Sequence, residues 1–332
     1  MSTVLIKGVE EMKKSLLSGS ETQHVIETVD LTKDYGFGRG VFDVDIHVDE
    51  GEVFGFLGPN GAGKSTTIRH LMGFSKPDKG STKIFGLETF DNYDKILRRV
   101  GYIPGEISLP VGLTGWEFIR MMQSMQKVRN DERLDDMMEM FELRDNVLSG
   151  ETKRMSLGVK RKLAVVTAFM SDPDVLIMDE PTSGLDPVMQ ENFIRLVHEE
   201  KKRGKTILLS SHIFSEIDST CDRIAIIKDG IIVSEFIADT LKHASRKYYA
   251  IRFEDEGAKR EFFDKSSCLA SLTLIREESS YVYISVEDSD LNELIAILSA
   301  VAVVSFSNRQ ETLEDYFMKF YKEDKDFGGA LS

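Results

Sequence analysis

Nine consecutive residues carry the most legible chemistry in this chain: Gly58, Pro59, Asn60, Gly61, Ala62, Gly63, Lys64, Ser65 and Thr66. Gly61 and Gly63 permit a tight turn and a close main-chain approach, so successive N–H groups can wrap a triphosphate at the N-terminus of a helix. Lys64 would place a point charge on the β and γ phosphates, and the Ser65 hydroxyl would coordinate Mg2+. Val53 to Leu57 reads as a short buried strand ahead of the loop, and Thr67 to Met72 as the opening of a helix behind it. A glycine-rich turn without a ligand would need neither flank.

A phosphate loop alone says only that some nucleoside triphosphate is bound. Asp179 closes the apolar run Val175 to Met178, where its carboxylate can hold Mg2+ directly or through water. Glu180, one residue further on, is placed to polarise an attacking water. The plain alternative for Asp179-Glu180-Pro181 is an acidic strand end with a proline stop. His212 follows Ser210-Ser211 at the end of another apolar run. In a parallel sheet this puts it on the same carboxyl edge as the phosphate loop, within reach of a γ-phosphate. A single strand-end histidine is more often structural, so this reading depends on the other motifs.

The elements that must position these groups follow from hydrophobic period. Phe42, Val44, Ile46 and Val48 alternate with Asp43, Asp45, His47 and Asp49, as in an antiparallel strand with one wet face. Val175 to Met178 and Thr206 to Leu209 are continuous apolar runs, as in strands buried on both faces. Between them Phe193, Leu196 and Val197 mark a helix stopping at Gly204, which makes a parallel crossover. Ile224 to Ile227 and Ile231 to Phe236 flank Asp229-Gly230, a two-residue hairpin signal. Leu113 to Asn146 lacks strand alternation and reads as a helical insertion, rich in methionine that serves as core filler or as an adaptable docking face.

After a basic stretch at Lys242 to Lys247, Tyr249, Ile251 and Phe253, then Val282, Ile284 and Val286, alternate as strands. Asp290 with Glu293 suggests a capping box, and Thr312 with Asp315 a last helix start. The domains expected are an N-terminal extension at 1–24, a nucleotide-binding domain at 25–243 with its helical insertion at about 113–150, and a small α+β domain of ferredoxin-like type at 246–325.

With 332 residues, 41% hydrophobic and 30% charged, the composition is that of an ordinary globular protein. No apolar run approaches the roughly 20 residues that cross a bilayer, so action at a membrane would require another chain. The first 24 residues do not read as a secretory signal. A net charge of −14 disfavours nonspecific binding to nucleic acid or anionic lipid. Cys221 and Cys268, far apart in sequence, read as small buried hydrophobes in a reducing compartment.

The string Val-Leu-Ile-Met-Asp-Glu-Pro-Thr-Ser-Gly-Leu-Asp-Pro from Val175 to Pro187 resembles the Walker B and D-loop motifs of ATP-binding cassette (ABC) transporter ATPase subunits. Met155 to Lys162 resembles that family's signature motif, with Ser156 as N-cap of the helix that follows and Leu163, Val166, Thr167 and Met170 on its inward face. The resemblance covers about residues 25–241. It departs at Leu157 and Val159 in the signature, and at Gly105, which stands where the family places a glutamine, with Glu106 beside it. The final Thr312 to Phe317 is similar to the tail of ATPases partnered with ABC-2-type permeases.

The resemblance implies an α/β P-loop domain of ABC type, with a mixed sheet core, an antiparallel β subdomain and a helical subdomain, followed by the small α+β domain. It implies ATP and Mg2+ as cofactors, Tyr35 stacking on adenine, and Asp186 as the D-loop aspartate. Ser156 and Gly158 would meet the γ-phosphate of ATP held by a second subunit, with Glu180 as general base, His212 as γ-phosphate sensor, and Lys64, Ser65 and Asp179 as phosphate and metal clamp. The implied activity is ATP hydrolysis driving a separate membrane permease, as an exporter on the cytoplasmic face, in a homodimer or a pair with a second ATPase subunit. The alternative is a soluble ABC-type ATPase acting in translation, on DNA or in regulation. Against it, the chain has one phosphate loop, and about 115 residues without sustained heptads separate Lys64 from Asp179.

Overall fold

Three sheets organise the described residues of the computed structural model, which are 24–239, 246–267, 269–278, 281–309 and 312–322. The N-terminal extension before His24, most of the basic stretch before Lys247, and Cys268 lie outside them. The chain divides into two compact units between Glu235 and Phe236.

In the first unit, β1 (Ile26–Asp34) and β2 (Gly40–Val48) form an antiparallel pair, extended by β4 (Lys79–Ile84) and β5 (Leu87–Glu88) in the order β2-β1-β4-β5. Val44, Ile46 and Val48 are buried while Asp43 and Asp45 face out, as the alternation predicts. The second sheet joins β3 (Val53–Leu57), β6 (Val100–Ile103), β7 (Val175–Asp179), β8 (Thr206–Ser211), β9 (Arg223–Lys228) and β10 (Ile231–Ile237) in the order β10-β9-β3-β8-β7-β6. From β9 to β6 the strands are parallel. Every residue of β3, β7 and β8 is buried, so main-chain polar groups there are paired within the sheet. Asp229 and Gly230 take positive φ values of 50° and 81°, the conformation a two-residue β9–β10 turn demands.

A core of Ile26, Ile46, Phe54, Phe56, Ile68 and Ile177 joins the two sheets across α1 (Lys64–Leu71). α1 begins three residues before the predicted Thr67, directly at the phosphate loop. After α2 (Thr89–Ile96) and β6, the insertion forms α3 (Gly115–Gln126), α4 (Asp131–Met140) and α5 (Asp145–Leu148). A Thr114–Glu117 capping box opens α3 and the Asn130 side chain caps α4. Its ends meet: Thr114 bridges Glu151, the Gly115 N–H donates to Gly150 O at 3.2 Å, and the Thr152 N–H to Leu113 O at 2.9 Å. Met137 is core, whereas Met125 is exposed.

α6 (Leu157–Phe169) and α7 (Pro187–Lys202) cover the sheet, with Phe169 and Phe193 meeting edge to face at 6.5 Å. The predicted single inward face of α6 is too narrow: Ala164, Val165, Ala168 and Phe169 are buried as well, because the helix lies between the sheet and the insertion. α8 (Phe214–Thr220) follows β8.

In the second unit, β11 (Arg246–Phe253), α9 (Glu256–Ser266), β12 (Thr273–Glu278), β13 (Tyr281–Glu287), α10 (Leu291–Ser299) and β14 (Val303–Arg309) follow one another. The antiparallel sheet order is β12-β13-β11-β14, the split β-α-β connectivity of ferredoxin-like units. Its core is Ile251, Phe262, Val282, Ile284, Val286 and Leu294. The predicted Asp290–Glu293 capping box does not form. A short 3-10 turn precedes α10, and Asp290 Oδ2 accepts the Ser271 hydroxyl at 2.6 Å instead. α11 (Leu313–Lys322) closes the described chain.

Candidate functional site

β3, β8, β7 and β6 are neighbours in that order, so their carboxyl ends bring four separate sequence motifs to one edge of the sheet. The phosphate loop leaves β3 in a confined space. A Cβ at Gly63, where φ is +117°, would lie 2.8 Å from Val41 Cγ1, so only glycine fits. At Gly61, φ is +85° and a Cβ would meet nothing within 4 Å, so the loop leaves open space above its turn. Gly63 caps α1 without any side-chain acceptor. Lys64 is only 5% exposed, and its ammonium donates to Gly58 O at 2.6 Å and Pro59 O at 3.2 Å.

Across the edge, Asp179 ends β7 at 3% exposure and accepts the Ser210 hydroxyl on Oδ1 at 2.5 Å. Glu180 follows in the left-handed region, with φ +51°, and its N–H donates to Ser210 O at 3.0 Å. A non-glycine residue held there costs on the order of 1 kcal/mol or more, and the pairing with β8 maintains it. Glu180 Oε2 is bonded to His212 Nδ1. Glu180 Oε1 lies 3.1 Å from Lys64 Nζ as an ion pair, but no donor is aligned with it as a hydrogen bond. Asn60, Ser65, Tyr102, Gly105, Asp179, Glu180 and His212 all line one cavity of about 470 Å3.

The family description "ABC transporter" matches residues 41–183. The bacitracin transport ATP-binding protein BcrA of Bacillus licheniformis is 35% identical over 301 residues, spanning 89% of this chain and 96% of that protein. The chain belongs to the ATP-binding subunits of ABC transporters. The daunorubicin/doxorubicin resistance ATP-binding protein DrrA of Streptomyces peucetius is 32% identical, over 90% of this chain and 93% of that one. A solved ATP-binding subunit of an ABC transporter superposes with TM-score 0.61 at 32% identity, covering 66% of this chain and 92% of the other. The cassette MJ0796 shares the fold, with TM-score 0.57 at 24% identity over 64% of this chain.

The expected fold class and family are therefore borne out, and this ABC subunit binds and hydrolyses ATP in the service of transport. The alternative of a non-transport ABC ATPase finds no support among these relatives.

From the phosphate loop of the ABC subunit only Asn60 and Ser65 reach the cavity lining, and Tyr35, Ser156, Gly158 and Asp186 lie outside it. Tyr35 sits in the β1–β2 turn with its ring half exposed, at 50%. Ser156 caps α6, its Oγ accepting the Val159 N–H at 3.3 Å, and the tip it forms with Leu157, 57% exposed, and Gly158 faces outward. Asp186 caps α7, accepting the Met189 N–H at 3.1 Å, also at the surface. Ser65 and Asp179 bring a hydroxyl and a carboxylate to the same cavity, hard oxygen donors that fit Mg2+.

The sequence did not single out Arg161, buried in α6, or Tyr102, whose phenol is pushed up to about 12 by burial and then by the Asp179 charge. Nor did it single out Glu216, whose carboxyl is raised to about 7, chiefly by burial. Gly105 has a steric reason to lack a side chain: a Cβ there would lie 2.8 Å from Asp179 Oδ2.

Proposed function

We propose that this chain is the ATPase of an exporter, driving a separate membrane permease from the cytoplasmic face through closure and reopening of an ATP-bound dimer. The relatives concerned with bacitracin transport and daunorubicin/doxorubicin resistance support export. None of the described helices is long and apolar enough to cross a membrane, which supports a separate permease.

Residues Gly58 to Thr66 hold the triphosphate of ATP, and Tyr35 offers its exposed ring to the adenine. Ser65 and Asp179 hold Mg2+, which when bound neutralises charge on the phosphates. Lys64, paired with Glu180 at 3.1 Å, turns its charge to the β and γ phosphates once ATP is in place. That exchange frees Glu180 to accept the proton of the attacking water at Oε1. His212 holds the other carboxylate oxygen and senses the γ-phosphate. The outward tip at Ser156 and Gly158, together with Asp186 at the start of α7, completes the site of a second copy or a second ATPase subunit, excluding water from the phosphate.

The observation that carries this reading is the Lys64–Glu180–His212 chain of contacts, which ends in the cavity that Ser65, Asp179, Glu180 and His212 line. Substituting Glu180→Gln tests it. Turnover should fall by about 100-fold or more, while ATP-dependent dimers, followed by size exclusion, become longer-lived. Unchanged hydrolysis would remove Glu180 as base, and an inactive variant that stays monomeric with ATP, alone and with the permease, would remove the dimer.

A further inference from the structure

Arg161 is a buried cation with an unusual set of partners. Its side chain, 2% exposed, makes its hydrogen bonds to main-chain carbonyls: Nε donates to Ser183 O at 2.9 Å, Nη1 to Pro104 O at 2.9 Å and Nη2 to Gly105 O at 2.8 Å. These carbonyls belong to two loops, one leaving β6 and one following Glu180. Burial lowers the guanidinium's pKa and the Asp179 and Glu180 charges oppose that, so the cation is held in the field of the site. The planar fork presents its five donors in fixed directions, so one guanidinium holds three carbonyls of two loops in a set geometry.

The loop it grips has no room for a side chain on the far side. The position a Cβ would take at Gly105 is 2.8 Å from Asp179 Oδ2 and 3.2 Å from Asp179 Cγ. Gly105 therefore lies close enough to the carboxylate to exclude a side chain, and Arg161 holds the carbonyls of Pro104 and Gly105 at that distance. The same guanidinium reaches these loops from α6, five residues beyond Ser156.

We propose that Arg161 is a positioning residue for the metal-binding carboxylate, seating Pro104-Gly105 against Asp179 and tying that segment and Ser183 to the helix whose tip is Ser156. The inference rests on the assignment of Asp179 and Ser65 to Mg2+. In this chain a main-chain contact set from α6 stands where the family places a glutamine side chain, and the seat of Asp179 depends on α6.

The test is a double-mutant cycle on the full chain with Arg161→Ala and Gly105→Ala. The probe is Mn2+ in place of Mg2+, its binding to the chain loaded with a non-hydrolysable ATP analogue followed by electron paramagnetic resonance. Each single variant should weaken Mn2+ binding by about 10- to 100-fold, with affinity for the metal-free analogue kept within about twofold. The double variant should be no weaker than the worse single one, since a loop released from Arg161 can make room for the methyl group. Arg161→Lys should recover only part of the loss and, should Arg161→Ala not fold, completes the cycle in its place.

Multiplying losses, or an Arg161 variant that melts lower yet binds Mn2+ as the wild type does, would overturn the role of Arg161 alone. A wild-type chain that takes up no Mn2+ with the analogue would overturn the metal assignment and this inference with it.

Discussion

Glu216 makes the stability of this protein depend on pH in the direction opposite to most carboxylates. Its side chain is 2% exposed. Oε2 accepts the Ser211 hydroxyl at 2.5 Å, while Oε1 has no partner. Burial is the largest cause of its raised pKa, the Glu180 charge adds to it, and the Ser211 hydrogen bond opposes it. With a folded value of about 7 against 4.5 when unfolded, the native state binds the extra proton within this window, so stability is present at low pH and is lost as pH rises toward 7. Integrating the linkage gives a loss of about 2 kcal/mol between roughly pH 5.5 and pH 8.

Glutamine mimics the protonated acid in shape and carries no charge to desolvate. Urea unfolding of the wild type and Glu216→Gln across that range should show the variant gaining about 2 kcal/mol on the wild type as pH rises. Two curves that run parallel within about 0.5 kcal/mol would refute the reasoning, because the carboxyl would then titrate alike in both states.

Gly63→Ala should both destabilise the chain, by at least about 1 kcal/mol for a positive φ, and abolish binding of a fluorescent ATP analogue, since the methyl would press on Val41 and Ile227. Full analogue binding would show that the loop is not confined as described. Glu200, buried between Arg133 and Arg203, compensates two cations at the start of α4 and the end of α7. Glu200→Ala should cost about 3–5 kcal/mol in urea unfolding, and a cost below about 1 kcal/mol would show the arginines re-paired or solvated.

The strands and the principal site residues were legible because their signals are local. Val175–Asp179 and Thr206–Ser211 are apolar runs whose burial needs no knowledge of their neighbours, and the loop from Gly58 to Thr66 encodes its turn in its own glycines. What escaped depends on residues distant in sequence. Arg161 bonds main-chain oxygens, which carry no residue identity, so no pattern of types points to Pro104, Gly105 and Ser183. Glu180 reveals nothing in sequence of its φ of +51°, because β8 imposes it through the Ser210 carbonyl. The all-round burial of α6 was missed because an inward stripe describes a helix with one neighbour, and α6 has the insertion on another side. Asp290 carried the capping pattern, but its carboxylate is taken by the hydroxyl of Ser271, which a local pattern does not reach.

The meeting of Leu113–Gly115 with Gly150–Thr152 has a mechanical consequence. A stretch whose ends meet in this way is a graft on a stalk, and its helices are moored to the body as well, by packing on α6 and by the Arg133–Glu200 ion pair to α7, so a tilt of the graft carries those helices with it. The second stalk strand runs on into Ser156, so any tilt of the graft is delivered to the helix tip offered to the neighbouring subunit. The stalk is an antiparallel pair of chain segments a few residues wide, and what it bears moves only together with the helix beneath it.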